Sequence, residues 1–65
     1  MKRVVVRFKK IFCVQGRLYE EGLLVDALRL PKNPKDKISC YLGLSFAGVF
    51  FITSDDVEEL PESDP

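Results

Sequence analysis

Ser39-Cys40-Tyr41-Leu42-Gly43-Leu44-Ser45-Phe46-Ala47-Gly48-Val49-Phe50-Phe51-Ile52-Thr53-Ser54 is the stretch that decides the fold of this chain. With Ile38 before it, it makes the longest uncharged run in a 65-residue sequence of which 31% is charged, and it holds three of the five phenylalanines and two of the four glycines. Short runs of aromatic and aliphatic residues around glycine have strand composition. The block therefore reads as two strands, Ile38 to Phe46 and Val49 to Thr53, meeting at an Ala47-Gly48 turn. It stops abruptly at Asp55-Asp56-Val57-Glu58-Glu59-Leu60. Such a block with an acidic stop has the form of the closing hairpin of a small β-barrel, and it carries no recognisable catalytic group.

Outward from this block the chain keeps strand character. In Arg3-Val4-Val5-Val6-Arg7-Phe8-Lys9, Val4, Val6 and Phe8 fall on one side of the alternation and Arg7 and Lys9 on the other. Ile11 to Val14 continues this strand past a Lys9-Lys10 interruption that has room for a bulge. Gln15-Gly16 reads as a tight turn, since glycine accepts positive φ. Leu18 to Leu30 contains good helix formers, but Gly22 in its middle and Pro31 at its end favour strand. Residues 31 to 37, with Pro31, Asn33 and Pro34 among charges, are a loop. Ser54-Asp55-Asp56 resembles the cap of a short 3₁₀ or helical turn, and Pro61 ends regular structure. The expected organisation is one all-β domain over residues 3–60 and a tail over 61–65.

A chain of this length buries only about 60% of the surface its unfolded form exposes, so each large side chain matters. Ten basic and ten acidic side chains give a net charge of zero, which removes bulk electrostatics as a reason to bind anything. The charges are nonetheless segregated. Lys2, Arg3, Arg7, Lys9, Lys10 and Arg17 lie in the first 17 residues without an acid, and Asp55, Asp56, Glu58, Glu59, Glu62 and Asp64 close the sequence without a base. Either the two ends lie side by side and neutralise each other, which is the favoured reading, or the basic end is a nucleic-acid face. The uncharged run from Ile38 to Ser54 is 17 residues long, short of the ~20 that cross a bilayer. Charges also interrupt the N-terminal apolar run before a signal-peptide core forms, so a cytoplasmic protein is expected. In that setting Cys13 and Cys40 read as reduced, buried thiols. Two cysteines and no histidine do not supply the four ligands of a usual metal site.

The order of these pieces resembles that of SH3-like barrels. Tyr19-Glu20-Glu21-Gly22-Leu23-Leu24-Val25-Asp26-Ala27-Leu28 is similar to the family's acidic turn ending in glycine before a strand of aliphatics. A variable loop follows at residues 31 to 37. Gly48-Val49-Phe50-Phe51-Ile52-Thr53 and the later Val57-Glu58-Glu59-Leu60 look like the family's ending, about two residues longer than usual. The resemblance implies a five- to six-stranded all-β SH3-like barrel with a 3₁₀ or helical turn near the C-terminus. It does not carry over the polyproline platform of signalling SH3 domains. The sequence has no tryptophan, and Ile52 and Asp56 stand near the places of the platform's proline and tyrosine.

The absence of histidine excludes a Ser-His or Cys-His nucleophile pair within the chain. Gly43 and Gly48 fit no phosphate-binding spacing. The acids from Asp55 to Glu59 read as a solvating cap. No cofactor or metal is expected, and the chain reads as non-enzymatic. The more informative pattern is large apolar side chains on both faces of single strands: Val4-Val5-Val6, Ile11-Phe12, Leu23-Leu24 and Phe50-Phe51. With Leu42, Leu44, Phe50 and Ile52 assigned to the core, Tyr41, Val49 and Phe51 face outward as a partner-binding strip. Bulges that swap faces would bury them instead. The expected partner is another protein or a second copy, in the role of adaptor, assembly subunit, or inhibitor from a phage or mobile element. The rival reading is nucleic-acid binding through Arg3, Arg7, Lys9, Lys10 and Arg17 beside aromatic rings, against which stands an isoelectric point near 6.2. A PxxP peptide titrated against the labelled protein is expected to produce no saturable NMR shifts at micromolar concentration.

Overall fold

The computed structural model describes residues 1–46 and 48–61. These form seven strands and no helix: β1 (Lys2–Phe8), β2 (Phe12–Val14), β3 (Arg17–Tyr19), β4 (Leu24–Arg29), β5 (Cys40–Ser45), β6 (Gly48–Thr53) and β7 (Val57–Glu59). Five make one curled antiparallel sheet in the order β6-β5-β4-β1-β7, and β2 and β3 pair separately. The architecture is a half-barrel with a hairpin across its concave side, consistent with a small β-barrel. The Leu18 to Leu30 segment is the end of β3, a turn at residues 21–22 and then β4, with no helix, as Gly22 and Pro31 favour. Lys9 and Lys10 occupy a bend that takes β2 out of the sheet, so one expected strand becomes two.

The core follows from period-two alternation. Val4, Val6 and Phe8 of β1 point inward and meet Ala27, Tyr41, Phe50, Ile52 and Val57 from the other four strands of the sheet. The β2–β3 hairpin closes over them. Its turn has positive φ at Gln15 (52°) and Gly16 (72°), the conformation that matches the twist of two-residue hairpins. Phe12 and Tyr19 of this hairpin stack on Phe8, with ring centroids 5.4 and 5.2 Å away, and Tyr19 sits 5.1 Å from Phe50. One aromatic cluster thus joins the two sheets.

Gly43 makes room for that cluster. It lies directly opposite Phe50 across the β5–β6 pair, and the Phe50 ring lies over its Cα. A Cβ at position 43 would collide with Phe50 Cζ and come within 2.5 Å of Cε2 and 2.8 Å of Cε1.

The β5–β6 register corrects the expected facing of one strand. Tyr41 pairs with Ile52, Leu42 with Phe51, Gly43 with Phe50 and Leu44 with Val49. Tyr41 is therefore core, only 3% exposed, and Leu42 and Leu44 lie on the outer face, half-buried. The physical reason is parity. Ser45 pairs with Gly48, so two residues separate the strands, and cross-strand partners are always one odd and one even number. Even-numbered Phe50 and Ile52 can share a face only with odd-numbered residues of β5. Of the expected Ala47-Gly48 turn, residue 47 lies outside the described residues, and Gly48 is the first residue of β6.

Two further expectations change. Residues 54–56 form a hydrogen-bonded turn, not a 3₁₀ or helical one. The Asp56 N–H donates to the Thr53 carbonyl at 3.0 Å, and the Asp56 carbonyl accepts from Lys9 N–H at 2.8 Å. That carbonyl is committed to β1 and has no freedom to start a helix. Both cysteines are free, Cys40 half-buried but Cys13 exposed on β2, whose inner side Phe12 and Val14 occupy. Of the tail, Pro61 is exposed coil, and 62–65 lie outside the described residues.

Gly43→Ala is expected to destabilise the domain by about 2–3 kcal/mol, the scale of overpacking in a rigid core. For a domain of this size that lowers Tm by roughly 10 °C or more. Phe50→Leu introduced with it should recover part of the loss, since the two changes share one contact. Thermal unfolding of the two single variants and the double variant measures this.

Candidate interaction surface

The outer face of the five-stranded sheet divides into two chemistries. Around β1 and β7, with Asp26 of β4, it carries charged side chains that pair with one another, with Val5 exposed between Arg3 and Arg7. Arg3 Nη2 lies 3.1 Å from Asp26 Oδ2, and Lys10 Nζ lies 3.5 Å from Asp56 Oδ1. Arg7 donates to Glu58 Oε1 through Nε at 2.6 Å and also through Nη2. This arrangement follows from the antiparallel pairing of β1 with β7, which sets Arg7 opposite Glu58. The basic N-terminal segment and the acidic segment around β7 do lie side by side and neutralise each other. Exposed pairs of this kind contribute little stability, about 0–1 kcal/mol each, but they cancel local potential.

The five basic residues singled out in the sequence do not form one stripe. Arg3 and Arg7 sit on the outer face of β1, Lys9 and Lys10 on the bend, and Arg17 on β3 in the other sheet. Arg3, Arg7 and Lys10 are engaged with acids.

Across β4, β5 and β6 the same outer face turns apolar. The register sets Leu28 beside Leu42, Leu42 beside Phe51, and Leu44 beside Val49. Phe51 is 57% exposed and Val49 53%. Leu28, Leu42 and Leu44 beside them are half-buried, and Leu24 at the start of β4 is exposed. At the end of β5, Phe46 stands fully exposed next to a groove of about 290 Å³ lined by Leu18, Leu23, Val25 and Leu44. Single exposed apolar side chains are ordinary. A contiguous set across three strands is the pattern of a surface that something covers. Of the expected strip, Val49 and Phe51 are here and Tyr41 is not. Leu42, Leu44 and Leu28 take its place, and the parity of the two-residue turn was the signal that would have found the first two.

Tyr41 has a different setting. Its hydroxyl donates to Glu59 Oε1 at 3.1 Å, and Glu59 Oε2 lies 3.1 Å from Arg29 Nη2. The three groups tie β4, β5 and β7 together at one end of the sheet. Among the described residues no three histidine, cysteine, aspartate or glutamate side chains converge as a metal site requires. No helix there is long and apolar enough to cross a membrane. Neither a protein-family model, nor a curated protein, nor a solved structure matches the chain.

Burial first, then the hydrogen bond to Glu59 and its negative charge, push the Tyr41 hydroxyl above its ordinary pKa of 10.0, against smaller opposing effects of Ser39 and Arg29. The folded chain holds this proton more tightly than the unfolded chain. The stabilisation is complete below pH 10 and is lost as the pH rises further. Tyr41→Phe should remove that part of the alkaline decline and cost about 1 kcal/mol at neutral pH through the lost hydrogen bond. Urea unfolding of both proteins between pH 7 and 11 separates the two effects.

Proposed function

We propose that this chain is a non-enzymatic protein-interaction module on an SH3-like barrel, binding a partner protein through the apolar outer face centred on Val49 and Phe51. The observation that carries the reading is the contiguous apolar set on β4, β5 and β6, on a domain too small to waste it. Burying a phenylalanine side chain stabilises by about 1.5–3 kcal/mol, and Phe51 contributes little of that to this fold. The SH3-like architecture is supported by the order of the pieces: a first strand paired with the last, a hairpin inserted after it, and a meander of three strands between. Adaptor, assembly subunit and inhibitor of a host protein are the roles that such a module fills, in a cytoplasmic setting. Nucleic-acid binding through Arg3, Arg7, Lys9, Lys10 and Arg17 is the weaker alternative. Three of these cations face carboxylates, and a phosphate would have to displace those partners first.

Phe51→Ser is expected to leave thermal stability nearly unchanged and to weaken partner binding at least tenfold, about 1.4 kcal/mol. Tyr41→Ser, by contrast, removes a core side chain and should destabilise the fold by several kcal/mol. Capture from lysate, run with nuclease and at raised salt, checks the partner class. Protein bound through the apolar face persists, whereas a phosphate-driven complex dissolves. Capture that is lost under these conditions but unaffected by Phe51→Ser would reverse the assignment.

A further inference from the structure

We propose that β6 is an open sheet edge that pairs antiparallel with β6 of a second copy of this chain, about a two-fold axis midway between the two Phe51 residues. The inference rests on the reading of the outer face as a binding surface and names its occupant.

The argument begins with the backbone. Ser54 N–H donates to the Ser39 carbonyl at 2.9 Å, which marks Ser39–Ser54 as a hydrogen-bonded pair of the β5–β6 ladder. Such pairs recur at every second residue of an antiparallel ladder. Gly48, Phe50 and Ile52 therefore direct their backbone groups to β5, and Val49, Phe51 and Thr53 direct theirs away from it. Among the described residues no strand pairs with that side. Among the described residues, the Val49 carbonyl meets only Gln15 Nε2, at 3.5 Å, and the Thr53 carbonyl meets the Asp56 amide. The amides of Phe51 and Thr53 have no acceptor there.

The two edges of the sheet are treated oppositely. β7 is three residues long, carries Glu58 and Glu59, and is followed closely by Pro61. Short length, charge and proline are the devices that block an edge. β6 is six residues long and has no charge, no proline and no lysine. It is also self-complementary. An axis at Phe51 sets Phe51 opposite its own copy and Val49 opposite the copy's Thr53, so each outward amide meets a carbonyl. The pairing needs no charge complementarity, because neither β6 nor the whole chain has net charge. It joins the two apolar outer faces into one, as an isologous interface requires. A foreign strand would make the same backbone bonds, but only a second copy also brings its own Val49 and Phe51 to the same face.

The test combines sedimentation with amide exchange on the full chain. A monomer–dimer equilibrium is expected, and the Phe51 and Thr53 amides should become protected as concentration rises. Thr53→Pro removes an outward N–H that makes no bond to β5, a position where an edge strand tolerates proline. It should weaken the dimer at least tenfold. Val49→Lys, which charges the edge while leaving every backbone bond in place, should do the same if the proline variant unfolds. A protein that stays monomeric to about 1 mM overturns self-pairing and leaves the apolar-face reading to its own capture experiment. A dimer whose Phe51 and Thr53 amides exchange freely overturns edge pairing. Protection that appears only with a captured partner assigns the edge to a foreign strand and overturns the second copy.

Discussion

The contact of the Phe50 ring with the bare Cα of Gly43 is the constraint on which the rest of this domain depends. A curled sheet of five strands has little interior, and a phenylalanine in that interior needs a gap opposite it. Gly43 supplies the gap within the same hairpin. With Phe50 held there, Tyr19 and Phe12 have a surface to rest on, and through them the β2–β3 hairpin covers the concave side. Phe8 completes the stack from the central strand. A larger residue at position 43 would push the ring outward and remove the platform that keeps the two sheets together.

The same contact determines which residues face solvent. Phe50 and Phe51 are neighbours on one strand, so placing the first ring over Gly43 forces the second to the outside. Register then carries the consequence across the sheet: Phe51 lies over Leu42, and Leu42 beside Leu28. The outer apolar face is thus the geometric complement of the core. Its other half is charged because β1 lies beside β7, where opposite charges stand across from each other and are spent locally.

Much of this was legible in the residues. The all-β class, the buried side of β1, the Gln15-Gly16 turn and the outward position of Phe51 all follow from alternation and turn chemistry. What failed had identifiable causes. Composition puts Tyr41 outside, because leucines at 42 and 44 are better core residues than a glycine at 43. The partner of a glycine cannot be guessed from its own apolarity, only from the parity that a two-residue turn imposes. The helical turn after Thr53 failed because local capping signals at Ser54 to Asp56 lost to a long-range demand, the bond from Lys9 to the Asp56 carbonyl. Lys9-Lys10 has room for a bulge within one strand, and nothing local distinguishes that from a bend that leaves the sheet.

The pairing of the first strand with the last has a kinetic side. Arg7 and Glu58 are 51 positions apart, and β1 gains its second neighbour only when that whole intervening chain is in place. The β5–β6 hairpin, joined across two residues, closes over a far shorter loop. A hairpin of that kind forms in microseconds, whereas folds dominated by non-local strand pairing take milliseconds to seconds. The Phe50–Gly43 contact belongs to the early element and the Arg7–Glu58 zipper to the late one. Until the zipper closes, β1, which brings Val4, Val6 and Phe8 to the core, carries an unpaired flank in the partly assembled chain. The acidic residues of β7 shield that flank only once folding has finished.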